Sequence, residues 1–219
     1  MDNSFPKAQF GETSFTEDRL IAGPTPILSK KVTLLSGENI VRGTVLGKVT
    51  YGAATPAAYA GNTGGSGTIG AVTTGAGTKV GVYNLVCIEP GTNAGKFTVE
   101  DPDGITVGVA TVAVAFSGGG LGFTISDATD FVAGDGFTIT VAAGSGKYRK
   151  AASANTDGSA APVAIAASDV DATAGDKELV IYTRGDFNEQ ALTFGTGVTA
   201  VSSRDALKAL DLFLITPEA

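Results

Sequence analysis

Aspartates in the middle of the chain are the residues best suited to chemistry, because clustered carboxylates can hold a hard cation. The densest group is the turn Asp101-Pro102-Asp103-Gly104, followed by Asp127, Asp130 and Asp135. Carboxylate oxygens are ligands that Ca²⁺ prefers. Their spacing does not match an EF-hand loop, and no Glu follows where a bidentate ligand would be needed. We interpret these acids as turn residues and predict no metal site.

Two short motifs suggest binding functions but have simpler structural explanations. Arg184-Gly185-Asp186 spells the tripeptide that some integrins bind. Gly tolerates positive φ and Asp can bond its own backbone, so we predict a turn at the end of a strand. Gly118-Gly119-Gly120 is followed by Leu121 rather than by Lys and Ser or Thr, so it does not predict a phosphate-binding loop.

The sequence contains no His. This removes the usual general base, the most common metal ligand and the Ser-His-Asp triad. The scattered Ser, Tyr and Lys residues offer no nucleophile beside a base. We therefore predict no catalytic residue, no cofactor and no enzymatic activity.

The composition limits the class of partner. The chain has 219 residues, of which 43% are hydrophobic and 17% charged, which is too apolar for a disordered chain. The net charge of −7 disfavours a nucleic-acid surface, which needs clustered Lys and Arg. No apolar run reaches the roughly 20 residues of a membrane-spanning helix, and the N-terminus shows no signal peptide. The single Cys87 is predicted to be a buried, inert thiol.

The C-terminal third predicts a compact β unit. Turn signals at Thr156-Asp157-Gly158, Ala174-Gly175-Asp176 and Arg184-Gly185-Asp186 separate short apolar runs between Lys147 and Phe194. The runs alternate with period two, which is typical of strands. Further on, Ser202 or Ser203 is predicted to cap a short helix, and residues 211–216 are predicted to form a final strand.

The segment from Ile27 to Val49 predicts two or three short strands around a Ser36-Gly37 turn. The next segment, residues 51–67, is rich in Ala, Gly, Pro and Thr. Such a composition predicts a linker or a long loop.

Residues 68–141 predict a second β unit. Turn signals recur at the ~8–12-residue spacing typical of a sandwich or barrel. The candidate strands are Thr68–Thr73, Gly81–Glu89, Gly95–Glu100, Gly108–Phe116, Leu121–Ile125 and Phe137–Val141. Gly-rich joints flank the unit, so its two ends could lie close together, as an inserted domain requires. Residues 52–146 hold two lysines and seven acids, so they carry five of the seven net negative charges.

The first 26 residues lack periodicity. Phe5, Phe10 and Phe15 are spaced by five, which matches neither a helix face nor a strand face. The segment is either a disordered terminus or a docking arm whose Phe side chains anchor on a partner.

Four stretches resemble, in order and spacing, the lambda-type head decoration proteins of tailed phages. The matching residues are ILSKKVTLLSGENIVRGTVLGKVT (27–50), the polar strand and Asp-Gly turn (147–158), PVAIAASDVDATAGDKELVIYTRGDFNEQALTFG (162–195) and SSRDALKALDLFLI (202–215). Residues 52–146 have no counterpart in the small members of that family.

The resemblance implies a mainly β fold. Residues 27–51 and 147–219 would form a β-clip-like body of strands and one short C-terminal helix, with the strands of the two parts paired. Residues 52–146 would be an inserted β-sandwich or immunoglobulin-like domain, and residues 1–26 would be a capsid-binding arm.

The resemblance also implies a function. The protein would be a homotrimer on the outer surface of the assembled, expanded capsid, made in the host cytoplasm, and would stabilise the shell against internal DNA pressure. Its partner would be the major capsid protein of the same phage, and the inserted domain could contact the host surface. The arm residues expected to bind the capsid are Phe5, Phe10, Phe15, Leu20, Ile21, Pro24 and Ile27.

A different class of function stays open from the residues alone. The β units are also compatible with an adhesin or tail-fibre module that binds a host surface or glycans, with the first half as a tether. The lack of a signal peptide argues against a secreted form of this alternative.

Overall fold

The structure is a computed structural model that describes residues 19–64, 67–126 and 129–216. It is mainly β with one short C-terminal α-helix, which confirms the predicted fold class at that level.

The elements fall into three consecutive stretches of the chain. The first contains β1 (Leu28–Leu34), β2 (Asn39–Ile40) and β3 (Val45–Lys48). The second contains β4 (Tyr51–Ala58), β5 (Thr68–Ile69), β6 (Thr73–Thr74), β7 (Gly81–Gly91), β8 (Ala94–Glu100), β9 (Thr106–Thr111), β10 (Ala115–Gly118), β11 (Leu121–Ser126) and β12 (Gly136–Ala143). The third contains β13 (Tyr148–Lys150), β14 (Pro162–Ala166), β15 (Val170–Asp171), β16 (Lys177–Asn188), a 3₁₀ turn (Glu189–Ala191), α1 (Ala200–Lys208) and β17 (Leu212–Ile215).

Strands from the first and third stretches form a small barrel. The order is β1-β13-β3-β14-β16, and β16 closes the ring by pairing antiparallel with β1, while β17 extends β16 in parallel. The expected pairing of residues 27–51 with strands beyond residue 147 is therefore confirmed. The short pair β2 and β15 forms a separate sheet, which packs against the barrel through Ile40 and Val170.

The central barrel strands β3 and β14 are buried on both faces over most of their length. In β3, Val45 belongs to one apolar cluster and its neighbour Leu46 to another, because successive side chains point to opposite faces. The first cluster also contains Phe187, Leu207 and Leu212, so helix α1 and β17 cover one face of the sheet.

The second stretch builds two further sheets around a core of its own. One sheet has the order β4-β12-β7-β8-β9, and the other joins β10, β5 and β6 to β11. Their buried side chains form one cluster that includes Phe97, Phe131 and Phe137. The Phe97 and Phe131 rings meet edge to face with centroids 5.0 Å apart.

A two-stranded ribbon joins the barrel to these sheets. Its two chains run from β3 into β4 and from β12 into β13. Backbone bonds continue through the crossing, from Val49 N to Lys147 O (2.9 Å) and from Gly144 N to Thr50 O (3.1 Å). Tyr51 and Ala143 are register partners, so the two ends of the middle stretch lie side by side, as the Gly-rich joints predicted.

The predicted linker over residues 51–67 is wrong in its first half. Residues 51–58 form β4, which pairs along β12 as the edge of its sheet. An edge strand needs only one paired side, so Pro56 is tolerated there. Small Ala and Gly side chains give no hydrophobic period, and therefore the pairing was not visible in the sequence.

The predicted strand Gly108–Phe116 is also wrong, because it divides into β9 and β10. Ala113 takes φ 61°, and the Val114 amide bonds the Thr111 carbonyl at 3.1 Å, which closes a tight turn. Val112 stays buried at 5% exposure. An uninterrupted apolar run hides such a turn, since no Gly, Pro or Asn marks it.

The N-cap of the C-terminal helix lies three residues before Ser202, the first of the two predicted caps. Thr199 is the N-cap, and it forms a reciprocal capping box with Ser202. Ser202 and Ser203 lie inside the helix, where Ser203 is buried and its hydroxyl donates to the Thr199 carbonyl at 2.7 Å. The predicted final strand is confirmed as β17.

We expect Thr199→Ala to lower the free energy of unfolding by about 1 kcal/mol, because the cap satisfies otherwise unpaired helix amides. Urea denaturation followed by circular dichroism measures this. Val201→Ala is the matched control, because Val201 is 81% exposed on the same helix and its loss should leave stability within about 0.5 kcal/mol. Equal losses in the two variants would contradict the capping role.

Candidate functional site

The predicted capsid-binding arm is only partly described. Phe5, Phe10 and Phe15 lie outside the described residues. The structure places the other predicted arm residues in the N-terminal segment, which we define as residues 19–27.

Leu20 lies in the core of this chain. It is 4% exposed and belongs to the cluster that contains Phe187 and Leu207. Its carbonyl accepts a hydrogen bond from the Asn188 amide at 2.9 Å, and the Ala22 amide donates to the Asp186 carbonyl at 3.0 Å. The segment therefore pairs with the end of β16, and in this conformation the Leu20 side chain is not available to a partner.

Asp186 fixes the next part of the segment. Its side chain is 7% exposed, and Oδ2 accepts from the Thr25 amide at 3.1 Å. Gly23 passes directly over this carboxyl, since a Cβ on Gly23 would lie 2.1 Å from Asp186 Oδ2. Only glycine allows this approach without displacing one of the two groups.

The remaining predicted residues are exposed and lie along one side of β16. Ile21 pairs with Phe187, and Leu28 pairs with Arg184. Ile21 and Ile27 are each 37% exposed and Leu28 is 54% exposed, while Pro24 is also exposed. We call Ile21, Pro24, Ile27 and Leu28 the apolar strip. Sequence reasoning missed Leu28, which continues the strip into β1.

The predicted turn at Arg184-Gly185-Asp186 is wrong, because the tripeptide lies inside β16. Gly185 takes φ 146°, and at this point β16 leaves β1 and begins to pair with β17. The Asp186 carboxylate is buried against the N-terminal segment. The tripeptide therefore marks the point where β16 changes its pairing partner. The Asp186 carboxylate is not exposed for binding to a receptor.

The carboxylates of the acidic turn at residues 101–104 form ion pairs with a lysine. Lys79 Nζ pairs with the Asp101 carboxylate and lies 2.7 Å from Asp103 Oδ2. Asp101 Oδ1 also accepts from the amides of Asp103 and Ile105. Hydrogen bonding to Lys79 is the main reason that the pKa of Asp101 lies below its ordinary value. The ammonium holds the position that a cation would need.

A second aspartate of the middle stretch is also structural. Asp135 is 2% exposed and accepts from the amides of Thr63, Gly64 and Val132. Asp127 lies outside the described residues. Part of the negative charge of residues 52–146 is therefore used inside the fold rather than displayed at its surface.

Within residues 19–64, 67–126 and 129–216, no group of three or more His, Cys, Asp or Glu side chains is placed to hold a metal ion. Cys87 is buried, as predicted, and burial raises the pKa of its thiol. No described helix is long and apolar enough to cross a membrane.

Comparison with known proteins identifies the class. The bacteriophage lambda head decoration protein D family matches residues 12–215, which is most of the chain. The match places the protein among the structural components of the phage capsid. The chain belongs to the bacteriophage lambda head decoration protein D family. Membership of this family implies a structural role in the phage capsid.

Similarity to solved structures is weak. FlgL from Xanthomonas campestris is 20% identical, with a TM-score of 0.33, and the match covers 47% of this chain and 33% of that one. The flagellar hook junction protein FlgK from Burkholderia pseudomallei is 27% identical, with a TM-score of 0.34, covering 57% of this chain and 21% of that one. The chain thus spans a third or less of these proteins, and the scores support no functional argument. No curated protein matches the chain.

Replacing Gly23 with Ala should detach the N-terminal segment from β16, because the new Cβ would overlap the Asp186 carboxyl. Overpacking of this kind costs about 1–3 kcal/mol. Amide hydrogen exchange should become faster at Ala22, Thr25 and Asn188. Gly175→Ala is the control, because a Cβ at that position meets no atom within 4 Å. Unchanged exchange in Gly23→Ala would show that Asp186 does not hold the segment.

The Asp101 carboxylate should make stability depend on acid pH. A carboxyl whose pKa is lower when folded contributes stability above its unfolded pKa and loses it as pH falls through the folded value. Wild type should therefore lose its advantage over Asp101→Asn between pH 6 and pH 2.5 in urea denaturation. Asp205→Asn serves as the control, because Asp205 is exposed on α1. An advantage that is the same at both pH values would contradict the role of the Lys79 pair.

Proposed function

We propose that this protein sits as a homotrimer on the outer surface of the expanded phage capsid and stabilises the shell against internal DNA pressure. The family match over residues 12–215 is the observation that carries this proposal. Stabilisation follows from mass action, because a ligand that binds only the assembled lattice lowers the free energy of that lattice relative to the broken one. The chain performs no catalysis in this role.

The proposal divides the chain by task. Residues 27–51 and 147–219 form the decoration body, and residues 52–146 form an inserted domain that projects away from the shell. The separate apolar cluster of the middle stretch and the adjacent ends at Tyr51 and Ala143 support this division. The two sheets of the insert are joined to the body through one two-stranded ribbon. They therefore disturb the packing of the body little.

Capsid contact is assigned to the N-terminal residues and to the apolar strip. The N-terminal segment is paired to the end of β16 through Leu20 and Ala22. Exposed Ile21, Ile27 and Leu28 continue from that point along the same side of β16. Phe5, Phe10 and Phe15 would supply aromatic anchors, which contribute large apolar area to an interface. Three arms per trimer bind with avidity although each arm is weak.

Removing all 26 N-terminal residues would not test the arm alone. A truncation at Ile27 would also remove Leu20 from the core, so loss of binding could reflect damage to the barrel. Deletion of residues 1–18 instead leaves Leu20, Thr25 and Asp186, with the hydrogen bonds described above, in the chain. The informative variants are therefore deletion of residues 1–18 and the triple change Phe5→Ala, Phe10→Ala and Phe15→Ala.

Both variants should keep the wild-type unfolding midpoint and trimer mass but bind at least about tenfold more weakly to DNA-free expanded capsids of the same phage. Cosedimentation measures the binding, and sedimentation velocity measures the oligomer.

The matched control removes three exposed apolar side chains from the middle stretch: Ile88→Ala, Ile105→Ala and Val109→Ala. These residues are 53%, 59% and 49% exposed. The control should bind capsids as wild type does. Wild-type binding by the arm variants, or an equal loss of capsid binding in the control, would contradict a capsid-binding role for the arm. A wild-type protein that ignores the capsids would reject the decoration function and favour the adhesin alternative.

A further inference from the structure

A cleft lies between the middle stretch and the barrel and is used by none of the functions above. Its volume is about 530 Å³. One wall is the loop at residues 76–78, and the other is formed by Gly158, Ala160, Ala161 and Val163. Tyr51 and Tyr148 also line it, together with Lys48. Small-molecule sites usually enclose roughly 300–1,000 Å³, so the cleft has the size of one.

The walls are held in place by hydrogen bonds that cross the cleft. The Tyr51 hydroxyl donates to the Gly75 carbonyl at 2.6 Å, and the Thr74 hydroxyl donates to the Thr156 carbonyl at 2.6 Å. Behind the second wall, the Asp157 carbonyl accepts from the amides of Thr50 and Tyr51 at 2.9 and 3.3 Å. The cleft is therefore formed before any ligand arrives, which lowers the ordering cost of binding.

Two polar groups of the lining lack partners. Tyr148 is 8% exposed, and within the described part of the chain its hydroxyl makes no hydrogen bond. The Tyr148 hydroxyl lines the cleft and can bond water or a ligand there. Lys48 likewise forms no ion pair with any described residue. The rest of the lining is mainly apolar, through Ala76, Val163 and Leu210.

The positive charge of the cleft lining favours an anionic ligand. Among the described residues that line the cleft, Lys48 is the one charged residue and none is a carboxylate, although the protein as a whole is strongly acidic. An anionic group would pair with the ammonium, and a flat apolar body would fill the space beside the two tyrosine rings. We propose that this cleft binds small aromatic carboxylates, with Lys48 and Tyr148 contacting the carboxylate and Ala161 marking the apolar wall.

The test titrates the full-length protein with 2-naphthoate by isothermal calorimetry at pH 7. Wild type should bind in the micromolar to millimolar range. Lys48→Gln and Tyr148→Phe should each weaken binding about fivefold, the effect of losing one exposed charge pair or one hydrogen bond. Ala161→Trp should abolish binding by filling the cleft. Neutral 2-naphthol should bind wild type about fivefold more weakly than 2-naphthoate.

Controls separate the cleft from general surface effects. Lys30→Gln and Ala174→Trp change exposed residues that do not line the cleft, and both should bind 2-naphthoate as wild type does. No binding by wild type, or full binding by Ala161→Trp, would overturn the proposal. Equal weakening by Lys30→Gln and Lys48→Gln would also overturn it. The result does not depend on capsid binding, so this inference and the proposed function can fail separately.

Discussion

Strand β16 is the element on which the barrel depends, because its backbone groups pair with four other parts of the chain. Its first half pairs with β1 and β14, and its second half pairs with β17 and with the N-terminal segment. A buried backbone amide or carbonyl without a partner is costly, so these pairings must form together. Gly185 makes the arrangement possible, since its φ of 146° lets one strand change partners without ending.

The need to keep backbone groups paired also explains how the second β unit is attached to the barrel. The ladder between β3 and β13 continues into the ladder between β4 and β12 through bonds at Val49 and Gly144. Because the backbone remains paired at the crossing, neither core needs side chains from the other. The large aromatic core of the middle stretch and the barrel clusters are accordingly separate. The middle stretch can thus add surface to the protein while the barrel keeps its own packing.

The N-terminal residues serve two purposes at once. Leu20 fills the barrel core, where burial of such a side chain stabilises by about 2 kcal/mol, while Ile21 and Ile27 remain exposed beside it. The buried Asp186 carboxylate and Gly23 set the path between them. If these exposed residues bind the capsid as proposed, they lose less entropy on binding than a free tail would, because they are already ordered.

Local pattern determined the class of fold, the strands with clear alternation such as β8 and β16, and the final helix and strand, since periodicity and caps are encoded by neighbouring residues. The absence of His and the family pattern indicated a structural role, and Phe5, Phe10, Phe15, Ile21 and Ile27 could be proposed as arm residues from the spacing of the Phe residues and the family resemblance. Tertiary structure alone decided that residues 51–58 pair as a strand, that Arg184-Gly185-Asp186 continues one, that Leu20 is core and that Lys79 occupies the acidic turn. Each of these features depends on a contact with a residue distant in the sequence. Such a contact produces no hydrophobic periodicity in either segment, so the sequence pattern does not reveal it.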